Sequence, residues 1–524
     1  MYHSIRDRMA EEQRYLVNHA MEYMDQLFDE EEGMLRDAEQ LDRHNTRGSG
    51  HYAVGLLLRN EPGDWERAAV VLNKVIDMQL NDADEIYFGT FRASPQASPP
   101  PKGKVPWQTL GAGSAYRYGE DVLPPVWRSY DPNWREFVAC TFAVILENFE
   151  SVLPAGLVAR MDNSMVMAVT GSIDRRLTEA VPMNSNIELM HIFIAHYFGQ
   201  RFENKDWLEH AKQESYKFHA AFMEFGSLAE FNTTTYYGVD ITVLGLWRCY
   251  AKSDELKRIG HDVEKGLWES IALFYNPALQ NLSGPFARAY EMEMLAHSSM
   301  GVFLYLLHGK GFEHLAAINC ESEHDPIIAL VGIDIPEYVK PSLTVPQGER
   351  LAVQKFRELC ERDLPGENSN LCTAKAWIDK DVMLGGMSGS KNTNGQMHPA
   401  TIHWITQEGE KYYLRLLRRE VGGHWNTHAR GIIFEVDVKR KQLSVEVYLD
   451  TAAPVEIYFE ISGGPLEAQL LTQELWSLPG LSLAVDSQAP LASIHSNEEL
   501  VEVIYTYQPG ETPNRMSFML TMID

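Results

Sequence analysis

Along the first 335 or so positions, apolar residues recur every third and fourth place, the period of a helix that buries one face. The pattern runs through 15–28, 65–78, 134–149, 157–173, 187–198, 207–225, 239–250, 256–274 and 290–307. Start signals support it: Pro62-Gly63-Asp64 stands before Trp65, and Asp131-Pro132-Asn133 before Trp134. About ten to twelve helices are predicted, long and short alternating, with loops marked by Gly, Pro and Asn and no solenoid-type repeat. One insertion, 91–130, is irregular and rich in Pro, Gly and aromatics, among them Trp107, Tyr116, Tyr118 and Trp127. Loops of that length are functional or disordered, and the aromatics favour function.

After Pro336 the period changes. PEYVKPSLTVPQGER reads as a linker, and a short helix is predicted around 351–360. From Cys372 the runs TAKAWI, ATIHWIT, KYYLRLL, IIFEVDV, LSVEVYL, VEIYFEIS, LVEVIYTY and MSFMLTMI alternate with period two between turn residues. Helices followed by strands, without βαβ alternation, argue against a Rossmann fold or a TIM barrel and for an antiparallel sandwich. The predicted fold is α+β and multidomain. An N-terminal (α/α) toroid of helical hairpins (1–335) is followed by a linker with a short helix (336–371) and a C-terminal antiparallel β-sandwich-like domain (372–524).

Composition narrows the function. A formal charge of -27 opposes any generic hold on nucleic acid, which needs Lys and Arg to displace counterions, and disfavours an anionic membrane surface. It leaves room for a locally positive cleft. The five cysteines are scattered without a CxxC pair, which suggests reduced thiols rather than a disulfide framework or zinc knuckle. The first residues read as an amphipathic helix without an apolar h-region. No run approaches the roughly 18 apolar residues of a membrane span. The chain is cytoplasmic in character, although one with a trimmed signal peptide would look the same. Its oligomeric state is left open.

Motifs for phosphate binding and for nucleophilic hydrolysis are absent: there is no GxxxxGK[ST], GxGxxG, GxSxG or HExxH. No cofactor and no metal are predicted, because His424 and His428 in GGHWNTHARG have ligand spacing only on a helix and the glycines make this a loop. Two polar loops that enter apolar helices stand out: 182–188 (PMNSNIE) and 230–240 (EFNTTTYYGVD). Either alone reads as helix capping, with the tyrosines as core aromatics. Together they say more, because Asn186 and Tyr236 lie about one helical hairpin apart and such loops open at the same end of a toroid.

These residues carry a resemblance. An Asn opening one helix and Thr233-x-x-Tyr236 opening the next hairpin, ahead of a β domain beginning AKAWIDKDVMLGGMSGSKNTNGQMHPATIHW, look like polysaccharide lyases of the heparinase III and exo-alginate lyase type. Ile187 and Tyr237 stand where that group usually carries His. The resemblance implies cleavage of a uronate-containing glycan by β-elimination: a proton leaves C5, α to a carboxylate, and the 4-O leaving group departs. The carboxylate must be neutralised by donors aimed where charge develops. Asn186 suits that task, with Asn184 or a protonated Glu188 beside it. Tyr236 would act as base, acid or both. Arg288 and Tyr290, one hairpin further on and expected to begin a helix, would supply positive charge and a second phenol. Asp42-Arg43-His44-Asn45-Thr46-Arg47, at another helix start, would complete the cleft through His44 and Arg47. His398 and His403 are candidates to reach over from the β domain, His403 as a catalytic group, and Tyr237 and Trp107 as substrate contacts.

The competing reading is a glycoside hydrolase on the same toroid, which needs two carboxylates flanking the bond. Asp240 with Glu291 or Glu293 would be its pair. A sugar-binding scaffold and a toroidal epimerase are the further alternatives.

Overall fold

The computed structural model describes residues 5–100, 129–178, 184–359, 369–426, 429–497 and 500–523. Its helices are α1 (Glu11–Leu27), α2 (Thr46–Arg59), α3 (Asp64–Asp77), α4 (Trp134–Phe149), α5 (Ala155–Thr178), α6 (Ser185–Arg201), α7 (Lys205–Phe225), α8 (Tyr236–Tyr250), α9 (Asp254–Phe274), α10 (Met300–His308), α11 (Asp325–Val331) and α12 (Lys340–Thr344). Trp107, Tyr116, Tyr118 and Trp127 of the long insertion lie outside the described residues.

Two kinds of helix build the first half. In α6 the run Ile187, Leu189, Met190, Ile192, Phe193 and Ile194 is buried whichever way it points. In α9 the apolar face turned inward is a stripe, Leu256, Ile259, Val263, Leu267, Trp268, Ile271 and Phe274. A helix apolar all round belongs inside, and an amphipathic one belongs at the surface. The contacts follow suit. The inner helices α2, α4, α6, α8 and α11 pack each on the next, and α11 returns to α2 to close the ring. Helices α1, α3, α5, α7 and α9 pack outside it, each against its inner partner. Every fully buried Leu or Ile contributes about 1.5–3 kcal/mol, so the inner ring is the main source of cohesion in this half. No helix among the described residues is long and apolar enough to cross a membrane.

The second half is antiparallel β. Two small hairpins, β1 (Phe28–Asp29) with β2 (Met34–Leu35) and β3 (Tyr275–Asn276) with β4 (Asn281–Leu282), belong to the helical region. The larger strands are β5 (Arg350–Leu359), β6 (Ser369–Ile378), β7 (Val382–Ser388), β8 (Ala400–Ile405), β9 (Lys411–Glu420), β10 (Ile432–Lys439), β11 (Gln442–Leu449), β12 (Val455–Gly463), β13 (Leu475–Leu478), β14 (Leu481–Ser487), β15 (Ser493–Ser496), β16 (Leu500–Tyr507) and β17 (Arg515–Ile523). One sheet runs β15-β16-β12-β9-β8-β7-β6-β5 and the other β10-β11-β17-β14-β13. They face each other where β10 lies over β6 and β7.

Two predicted helices differ from the structure. The segment expected to be a short helix around 351–360 is the edge strand β5, in register with β6 from Arg350↔Ile378 to Leu359↔Ser369. Its charged residues favour a helix locally. However, Ala352, Phe356 and Glu358 are buried at even spacing while Leu351 and Val353 are exposed, so sheet pairing and the stack of Phe356 on Phe231 (4.5 Å) prevail. Nor does a helix begin near Arg288 and Tyr290: only Met300–His308 of the predicted 290–307 is helical. Upstream, the backbone is tied to the β domain. Phe286 and His398 exchange N–H···O bonds (3.1 and 2.9 Å), the Ala289 N–H donates to Gln396 O (2.9 Å), and Arg415 Nη1 donates to Tyr290 O (2.8 Å). Carbonyls held in this way cannot accept helical bonds.

Candidate active site

Polar residues collect at the starts of the inner helices for a local reason: the first four N–H groups of a helix lack intrahelical partners. Here all five inner helices begin at one end of the ring. Their opening residues, Arg47 of α2, Asp131 and Asn133 before α4, Asn186 of α6, Tyr236 of α8 and Glu321 and Glu323 before α11, line a single cleft of about 540 Å³. Asn394, Gln396 and Asn426 reach it from the β domain. Five positive helix ends converging on one cavity favour an anionic guest despite the acidic chain.

At its centre the Tyr236 hydroxyl donates to that of Tyr290 across 3.2 Å. Arg288 lies over the Tyr236 ring with its guanidinium carbon 4.2 Å from the centroid. Arg288 is itself held, by Gln396 Oε1 at 2.7 Å and by the carboxylate of Glu230. Burial pushes the Tyr236 phenol well above its usual range, and Arg288 opposes this without reversing it. The phenol is therefore protonated at neutral pH and carries a proton that it can donate. The cation expected to lower its pKa is present but outweighed by desolvation. The Thr233 hydroxyl accepts from the Tyr236 N–H (3.0 Å), which fixes the start of α8 and aims the ring.

Asn184 and Asn186 line the same cleft, and neither caps its helix in the expected way. The Asn186 amide is 2% exposed and its oxygen has no hydrogen-bond partner among the described residues. Arg47 lies at the acidic wall, its Nε donating to Glu323 Oε1 (2.7 Å) with Glu321 at 3.9 Å. Arg175 Nη1 bonds Pro132 O (3.0 Å) and Asn133 Oδ1 (2.9 Å). Asp131 is raised by burial to about 6.

Several predicted residues lie elsewhere. Tyr237 is fully buried with its hydroxyl accepting from the Asn232 N–H (2.6 Å), because adjacent residues at a helix start point to different faces. Glu188 turns back to Arg176 (3.2 Å) rather than toward the cleft, and burial raises its carboxyl to about 7. His44 is clasped between Gln96 (3.1 Å) and Asp29 (3.2 Å). His398 and His403 are both fully buried. Their Nε2 groups donate to Ala289 O (2.9 Å) and Met292 O (2.8 Å), so they brace the segment that carries Tyr290 from behind. The hydrolase pair also fails to reach the cleft. Asp240 is buried within α8 with its carboxyl raised by burial, and Glu293 accepts from the Leu295 and Ala296 N–H groups (2.8 and 2.6 Å). Of the GGHWNTHARG pair, His424 is exposed and His428 and Trp107 lie outside the described residues.

Other residues come into view only here. His297 packs its ring 5.4 Å from that of Tyr290, with Cys320 Sγ 2.8 Å from Nδ1 and Glu39 3.3 Å from Nε2. It sits at φ 46, in the left-handed region that few residues other than glycine adopt. The sequence signal for Asp131 and Asn133 was the same as for Asn186, a polar loop entering an apolar helix. His297 gave none, because its segment carries a helical period.

Among solved structures, the heparinase III BT4657 gene product is similar at 9% identity over 98% of this chain and 84% of that one, with a TM-score of 0.35. The heparan sulfate lyase HepC from Pedobacter heparinus aligns at 10% identity over 99% and 84%, with a TM-score of 0.34. The endoglucanase CelQ from Clostridium thermocellum aligns at 8% identity over 91% and 83%, with a TM-score of 0.24. Scores this low leave the chemistry to the site's own geometry. No curated protein sequence matches the chain. The sequence model that does match spans residues 14–329, well over half of the chain and nearly all of the helical ring, and by it the chain belongs to the family described as domain of unknown function DUF8769.

Proposed function

We propose that the protein is a polysaccharide lyase that cleaves a uronate-containing glycan by β-elimination. The observation that carries this reading is the pair of phenols, Tyr236 and Tyr290, hydrogen-bonded at 3.2 Å in a cleft whose wall also holds Arg288 and the amide of Asn186. Elimination needs a proton donor for the leaving O4, a proton acceptor at C5, and neutralisation of the carboxylate as C5 gains charge. Tyr236, kept protonated by burial, gives its proton to O4 as the C4–O4 bond breaks. Tyr290, which accepts the Tyr236 hydrogen bond, takes the C5 proton in its phenolate form, and the electron pair left on C5 forms the C4–C5 double bond. Asn186, with the positive ends of the inner helices, holds the carboxylate. Asp37, Glu39, Glu321 and Glu323 also line the cleft, and their carboxylates suit neutral sugar hydroxyls and repel sulfate.

The test is a panel of uronate glycans, sulfated and unsulfated, followed both in the ultraviolet band of an unsaturated uronate and by reducing-end assay. The reading expects both signals together, larger for unsulfated substrates. Reducing ends without absorbance would assign hydrolysis instead.

A further inference from the structure

Next to Arg47, a second group of side chains is buried beneath the acidic wall. His51 lies one turn after Arg47 on α2, and Glu321, Glu323 and His324 lie on the turn leading into α11. His51, His324 and Glu323 are 2%, 3% and 7% exposed. The two imidazole rings face each other at 4.4 Å, and Phe137 closes one side with its ring 5.9 Å from His324. Among the described residues, two ring nitrogens, His51 Nδ1 and His324 Nε2, have no hydrogen-bond partner, although each lies near a carboxylate. Buried nitrogens are rarely left in this state without a reason.

We propose that His51 Nδ1, His324 Nε2 and the Glu323 carboxylate bind one divalent transition-metal ion of the zinc class. Neutral imidazoles with carboxylate oxygens are the donor set such an ion takes, and ligands about 2.0–2.2 Å from a tetrahedral centre stand about 3.3 Å from one another. The separations come close to this: 3.4 Å between His51 Nδ1 and Glu323 Oε1, and 3.9 Å between His324 Nε2 and Glu323 Oε1. The ligand atoms of His51, Glu323 and His324 all lie within 4.8 Å of one another. Charge points the same way. One guanidinium, Arg47, faces two carboxylates here, and buried charge that is not balanced by ion pairs is balanced by metal coordination. This site does not depend on the elimination chemistry.

The test uses the full chain, stripped with a chelator, reloaded with Zn²⁺ or Co²⁺, passed over a desalting column and assayed for ion content. One ion should be retained per chain. The Co²⁺ protein should show visible ligand-field bands without a thiolate-to-cobalt charge-transfer band. His51→Gln and His324→Gln should lose the ion, whereas Cys320→Ser, which alters the neighbouring Glu39, His297 and Cys320 group, should keep it. The spectrum of the unaltered chain decides the matter even if a histidine variant fails to fold. Retention of no ion, or a charge-transfer band abolished by Cys320→Ser, would overturn the proposal.

Discussion

Tyr236 and Tyr237 are adjacent, chemically identical and placed in opposite surroundings, which makes them a controlled pair. Tyr236→Phe removes the proton given to the leaving oxygen while keeping the ring under Arg288. Turnover should fall roughly 10²–10⁴-fold with an unchanged unfolding midpoint. Tyr237→Phe removes the acceptor of the Asn232 N–H inside the core, and a buried donor left without a partner costs about 1–3 kcal/mol. Stability should drop while turnover per folded molecule stays. A reversal of the two outcomes would move the chemistry to the wrong ring. At this scale the sequence was legible where a polar residue stood at the start of an apolar helix, as with Asn186, Tyr236 and Arg47. It was not legible for His398 and His403. A strand's two-residue period says that a side chain points inward, but not whether inward means a cleft or the packed seam behind it.

Helix α6 carries a pH response of its own. Burial raises Glu188 from 4.5 to about 7, so the native protein holds a proton that the unfolded chain releases between those values. Stability therefore falls as pH rises through that window, by on the order of 3 kcal/mol. Thermal unfolding of Glu188→Gln should lack this part of the decline, and an identical slope in both proteins would remove Glu188 as its source. The helical elements were readable because each long helix keeps a 3.6-residue period over many turns. Two elements were misread for one physical reason. In 351–360 and 290–299 the local preference for helix loses to hydrogen bonds made with the β domain, partners far away in sequence.

On the scale of the whole molecule, the sandwich supports the cleft as well as adjoining it. Arg415 pairs with Glu460 (2.6 Å) and holds Tyr290 O (2.8 Å), both from within the interior. Arg415→Met leaves Glu460 buried without that partner, which should cost about 3–5 kcal/mol in chemical denaturation. Because the Tyr290 backbone is released, kcat should fall more than KM rises. An unchanged kcat in the folded fraction would mean that the sandwich does not position the phenol pair. The most direct test of the central claim is to run the cleavage in water enriched in the heavy oxygen isotope and weigh the products. Elimination adds no water, so the products should carry no heavy oxygen and their masses should sum to that of the substrate. One heavy oxygen at each new reducing end would contradict the lyase account.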